Sequence, residues 1–133
     1  MKLKRNLSLN PDINNVFFSQ LGLSDKSLGI QRLSSQSSCR LDSHDDKAIE
    51  SVEVLSLDDL IRNNKIERVY FIKLDVNGFE GQVFDGANEC IRRFRPSILF
   101  ELNVNEIIQT GHTLFGIFEL FENYGYQLYN DNV

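Results

Sequence analysis

Phe71-Ile72-Lys73-Leu74-Asp75-Val76 is an apolar run interrupted by a lysine and an aspartate two residues apart, and it passes through Asn77-Gly78 to Glu80. A strand sends side chains two apart to one face, so Lys73 and Asp75 point the same way and neutralise each other at a rim. Ser97-Ile98-Leu99-Phe100-Glu101 repeats the pattern, an apolar run closing in a carboxylate. In an open parallel sheet, ligands bind beyond the carboxyl ends of the strands, so Asp75 and Glu101 stand where a crevice forms. Glu80 has a plainer reading beside this one. With Asn77 as N-cap and Glu80 three residues on, the stretch is a capping box that holds a helix start near its positive end. Lys73 likewise reads as half of a structural ion pair, and Glu101 as a solvated strand end.

These groups need elements to position them. Val69 to Val76 is dense in β-formers on both faces, as in a central parallel strand covered on two sides. From Glu80, Val83, Phe84, Ala87, Ile91 and Phe94 recur at helical spacing, and Arg95-Pro96 stops the run. Strand, helix and strand then make a βαβ unit, which predicts parallel pairing of Val69–Asp75 with Ile98–Leu102. Upstream, Leu3 and Leu7 lie one helical turn apart before Asn10-Pro11, while Val16-Phe17-Phe18 and Ile30–Leu33 suggest a hairpin. Val52 and Val54 alternate as in a strand, and Ser56 caps a short helix carrying Leu57, Leu60 and Ile61. Thr113 caps a last helix that Gly125 ends, before a predicted strand Tyr126–Tyr129. The order is α/β throughout, a single domain over 1–133 with its best-defined part at 52–102.

Composition removes several function classes. The 133 residues carry a net charge of −5, from 14 basic and 19 acidic residues, which leaves no basic surplus for a phosphate backbone and argues against nucleic acid. Cys39 and Cys90 are far apart and form no CxxC or Cys/His ligand pattern, so neither zinc nor a disulfide scaffold is indicated and a reduced, cytoplasmic setting fits. Ser43-His44-Asp45-Asp46 holds metal-ligating types, but adjacent positions in a serine-rich polar loop do not converge on one ion, so no metal is assigned. No run of about 18 apolar residues occurs, so no membrane span or signal segment is expected.

Leu57-Asp58, Lys73 through Glu80, Gly86-Ala87, Arg95-Pro96 and Glu101, in that order, resemble the FkbM family of S-adenosylmethionine-dependent methyltransferases. The resemblance runs from Leu3 to about Leu102 and more loosely beyond, and the Leu23-Ser24-Asp25 turn is similar to the family's segment lining the adenine. It implies a Rossmann-like class I methyltransferase fold with a mainly parallel sheet. Asn77 departs from the glutamate usual there, which removes one carboxylate from the rim. No two of the eight glycines make a GxG, so the family's glycine-rich cofactor loop and the acid that holds the ribose are not found here. A strand-helix-strand unit of at least about 30 residues is expected upstream, and the chain is read as N-terminally truncated.

What the resemblance implies is methyl transfer from S-adenosylmethionine to a hydroxyl of a sugar or another small metabolite. Such a reaction needs an in-line approach and a base for the hydroxyl proton. Asp75, Glu101 and His112 are the catalytic candidates, His112 as base. Ser24, Asp25, Asp75, Gly78 and Glu80 are the cofactor-side candidates. The rival readings are a non-enzymatic remnant or partner-binding fragment of such a domain and, more weakly, a nucleotide-binding module of another kind, which lacks a phosphate-cradling loop.

Overall fold

The computed structural model describes residues 2–33 and 50–129. In chain order the described residues form α1 (Lys2–Ser8), β1 (Leu21–Leu23), β2 (Gly29–Leu33), β3 (Glu50–Leu55), α2 (Leu57–Asn63), β4 (Phe71–Leu74), α3 (Glu80–Asp85), α4 (Asn88–Phe94), β5 (Ser97–Phe100), α5 (Val104–Gln109) and α6 (Leu114–Asn123). Two of the helix starts are set by side-chain caps the sequence announces. Ser56 Oγ accepts from the Asp59 amide at 3.1 Å, and Thr113 Oγ1 accepts from the Gly116 amide at 3.0 Å. Gly125, at φ 70°, closes α6 in a left-handed conformation that glycine adopts freely.

The strands fall into two sheets. In the first, β3 is central, parallel to β1 through Leu21↔Glu53 to Leu23↔Leu55 and antiparallel to β2 through Gly29↔Val54 to Leu33↔Glu50. In the second, β4 and β5 run parallel in the register Phe71↔Ser97 to Leu74↔Phe100, with α3 and α4 between them in sequence, as the βαβ reading requires. One face of this pair, carrying Ile72, Leu74, Ile98 and Phe100, packs on a core of Val83, Phe84, Ala87, Ile91, Ile107, Ile117 and Phe121. Phe84 meets Phe100 and Phe121 edge-on, at ring centroid distances of 5.1 and 4.9 Å.

Several expectations are corrected. Val16–Phe18 is not a strand; the chain becomes extended only at Leu21, and β2 pairs with β3 rather than with Val16, because β3 offers five paired positions. The helix expected from Glu80 to Phe94 is two, divided at Gly86-Ala87. Gly86 lies against the Ser24 carbonyl oxygen and its own carbonyl accepts from the Asp58 amide at 3.0 Å, so two other segments hold the break open. Tyr126–Tyr129 pairs with no strand among the described residues. Nor is β4 covered on two sides, since Phe71 and Leu99 on its second face are exposed. Ser34–Asp46, with Cys39 and the Ser43–Asp46 run, lies outside the described residues.

Candidate rim site

Parallel pairing puts the carboxyl ends of β4 and β5 on one edge. One position past the last registered pair stand Asp75 and Glu101, and the Glu101 amide still donates to the Leu74 carbonyl at 3.3 Å. Both side chains are exposed. Lys73 Nζ lies 3.2 Å from Asp75 Oδ2, the ion pair the two-residue period calls for. At that exposure the pair contributes little stability.

The turn after Asp75 is built from within. Asn77 and Gly78 both have positive φ, 48° and 92°. Gly78 is there for a second reason: a Cβ would run into Glu106 of α5, whose backbone and side chain press on the turn. Thr110 Oγ1 donates to the Gly78 carbonyl at 2.9 Å and fixes α5 in that place. Glu80 does reach back, but to the Val76 amide at 3.2 Å rather than to Asn77, because the helix begins at Glu80 itself and Phe79 occupies the cap position. The residue is 1% exposed and its Oε2 has no hydrogen-bond partner among the described residues. Glu80 thus lies under the rim and not on it.

His112 lies between α5 and α6. Its ring packs on Gly81, where a Cβ would occupy the ring's position, and Nε2 is 3.0 Å from Asp85 Oδ2. Nδ1 is enclosed without a hydrogen-bond partner among the described residues. As placed, His112 braces α3 at both ends, at Gly81 in its first turn and at Asp85, its last residue. Asp85, its partner, went unnoticed in the sequence; an acid at i+4 from the contact glycine is the only signal.

Ser24 and Asp25 close β1. Ser24 is buried, its amide donates to the Leu55 carbonyl at 3.0 Å and its hydroxyl to Asp25 Oδ1 at 3.0 Å. With the Ser24 carbonyl against Gly86, this turn is locked to the α3–α4 junction. Asp58 completes the lock and was also missed. Its two carboxylate oxygens accept from the amides of Glu89 and Cys90, each at 2.8 Å, so an aspartate at the start of α2 caps α4. In the sequence Leu57-Asp58 marks a helix start and a motif of the FkbM resemblance, neither of which announces a cap for α4.

Two perturbed ionisations lie around this lock. Burial, with the Asp58 charge adding to it, pushes the Cys90 thiol up to about 11. Hydrogen bonds from Ser27 and Ser56, with the Arg62 charge beside it, hold the Asp59 carboxyl below the usual range. Among the described residues no group of three His, Cys, Asp or Glu side chains is placed to hold a metal ion.

A mixed α/β chain whose parallel strands end side by side in carboxylates has the general form of an enzyme domain with its ligand edge at the strand ends. The family comparison gives that form a name: the methyltransferase FkbM domain matches residues 2–128, and the chain belongs to that family. No curated protein and no solved structure shows significant similarity to it.

Proposed function

We propose that these residues form one wall of a Rossmann-like, S-adenosylmethionine-dependent methyltransferase site that methylates a hydroxyl of a sugar or another small metabolite. The observation that carries the reading is the juxtaposition of Asp75 and Glu101 at one edge of a parallel pair, in a chain of the FkbM methyltransferase family. A carboxylate there accepts a hydrogen bond from an acceptor hydroxyl, orients it and takes its proton. Asp75 has Lys73 Nζ 3.2 Å away, so a cation stands beside the carboxylate that would meet the acceptor. Net charge −5 favours a small neutral or cationic acceptor over nucleic acid. A cytoplasmic setting belongs to the same proposal; among the described residues no helix is long and apolar enough to cross a membrane.

The described residues do not make a complete cradle for the cofactor. The space a glycine leaves at Gly78 is filled by Glu106, and the one at Gly81 by His112. Glu80 has one oxygen on a backbone amide, and Ser24 has its hydroxyl on Asp25. Asp25 and Asp75 are the exposed acceptors that remain from the cofactor-side candidates. Absent hydrogen bonds at about 0.5–1.5 kcal/mol each remove several powers of ten in affinity. Calorimetric titration of the 133-residue chain with S-adenosylhomocysteine is expected to show no micromolar binding. Fusing a glycine-rich strand-turn-helix ahead of Met1 is expected to restore it. Micromolar binding by the chain alone refutes the one-wall reading, and failure of the fused chain refutes the cofactor.

The exposed Phe71 and Leu99 favour a second reading, a domain whose present task is to bind a partner.

A further inference from the structure

Away from the rim, α2, α4 and the chain leading into β4 line a groove of about 270 Å³. Its floor is apolar, made by Ile61, Ile66, Cys90 and Phe94, with Ile66 40% exposed. The charged side chains around it are unequally engaged. Asp58 is held by the Glu89 and Cys90 amides at 2.8 Å, and Arg62 pairs with both Asp59 and Glu89, the latter at 3.2 Å. Among the described residues Lys65 and Arg93 have no carboxylate partner and Glu67 has no cation. Two unpaired cations thus share the groove with one unpaired acid. A hollow alongside, of about 330 Å³, adds Arg92 and brings no acid beyond Asp58 and Glu89. The Arg93 guanidinium lies over the Phe94 ring, 4.9 Å from its centre, so a cationic fork and the apolar floor meet at one place. The backbone marks the other cation. Past Asn64, the Lys65 amide donates to the Arg62 carbonyl at 3.2 Å and the Ile66 amide to the Ile61 carbonyl at 3.0 Å, with Lys65 at φ 52°. Glycine or asparagine suits that left-handed position, and a lysine is strained there. The helix end favours a cation in its last turn, where Arg62 already stands, and gives no reason for one at the strained position.

We propose that this groove binds a small organic monocarboxylate, its carboxylate between Lys65 and Arg93 and its apolar body on Ile66 and the floor. A guanidinium offers a carboxylate two parallel hydrogen bonds, and the ammonium adds a point charge. One negative charge matches the surplus that Glu67 leaves. A phosphate, with more charge and no apolar body, meets the same acid and has nothing to lay on Ile66. The site is separate from the rim, because Asp75 and Glu101 follow β4 and β5 whereas Lys65 and Phe94 precede them. It stands whether or not the rim transfers a methyl group. A ligand that touches both α2 and α4 in the folded chain alone stabilises that fold.

Titration of the isotopically labelled full chain with benzoate at constant ionic strength, followed by amide chemical shifts, tests it. Saturable binding is expected, with a dissociation constant of about 10 mM or below, the scale for so small a ligand, and with shifts centred on residues 61–67 and 89–94. Arg93→Gln and Lys65→Gly are each expected to weaken it about threefold or more, and Glu67→Gln to tighten it. Lys65→Gly also removes the left-handed strain, so its thermal midpoint stays level or rises while its affinity falls, which separates loss of the site from loss of the fold. Benzyl alcohol keeps the ring and inorganic phosphate keeps an anion; each is expected to bind at least about threefold more weakly than benzoate. Either of them binding as well as benzoate overturns the proposal, as do shifts that never saturate. So does an affinity indifferent to either Arg93→Gln or Lys65→Gly.

Discussion

Replacing Asp58 by alanine removes a carboxylate that lies in α2 but caps α4. Its two acceptor bonds, to the Glu89 and Cys90 amides at 2.8 Å each, are lost together. The Glu89 amide is exposed and can turn to water, so that loss is close to an ordinary N-cap deletion, about 1 kcal/mol. Cys90 is buried, and an orphaned amide there costs about 1–3 kcal/mol more. Loss of an acid from the first turn of α2 adds only a few tenths at the surface, about 0.3 kcal/mol. The total is about 2–4 kcal/mol, which for a chain of this length lowers the midpoint of thermal unfolding by roughly 6–15 °C. Urea titration and thermal melts followed by circular dichroism measure it. Asp58→Asn keeps one acceptor oxygen and is expected to lose about half as much. The reasoning is refuted if Asp58→Ala stays within about 0.5 kcal/mol of the parent, the range of an uninvolved surface change.

Gly86→Ala tests a sign: at φ −85° the backbone suits alanine, which by chain entropy alone stabilises by about 0.4–1 kcal/mol, whereas contact with the Ser24 carbonyl predicts destabilisation of about 1–3 kcal/mol in urea titrations. The Asp59 carboxyl is depressed by Ser27, Ser56 and Arg62, so the stability it gives is present above the unfolded aspartate range and is lost as pH falls through its folded value. The acid limb of the stability curve should therefore flatten in Asp59→Asn, and an unchanged limb contradicts this. Cys90 has the opposite sense: with the thiol raised to about 11, its contribution is complete below the ordinary thiol range and is lost as pH climbs from there toward 11. In a Cys39→Ser background, Cys90 should react with a disulfide reagent no faster than the chain unfolds; rapid labelling of the folded chain would show that it is neither buried nor protonated.

The sequence revealed those parts of the structure that local chemistry sets. Ser56 and Thr113 announce helix starts because a hydroxyl has its target three residues on, and Lys73-x-Asp75 announces an ion pair because the strand period is two. The parallel pairing of β4 and β5 followed from their lengths and the helical run between them. What could not be read depends on contacts between distant segments. The division at Gly86 is set by Ser24 and Asp58, more than 25 residues away in the chain, so the uninterrupted helical spacing of Val83 to Phe94 gave no sign of it. Val16–Phe18 has the composition of a strand and pairs with none among the described residues, and composition is silent about which neighbours a segment meets. His112 stands out in the sequence by its residue type and its place beyond Glu101; Gly81 and Asp85, which settle its surroundings, lie about 30 residues upstream.

Gly78, Gly81 and Gly86 each admit another segment where a side chain would stand, and at Gly78 and Gly86 what enters includes main chain. A main-chain neighbour is the same whatever residue supplies it, so these joints constrain where the visiting segment runs and leave its side chains free to drift. Adding or removing a single residue between Leu23 and Leu28, or between Asn103 and Thr110, moves the carbonyl or the helix that fits the gap. In this domain the spacing of segments, more than their spelling, is what inheritance must preserve.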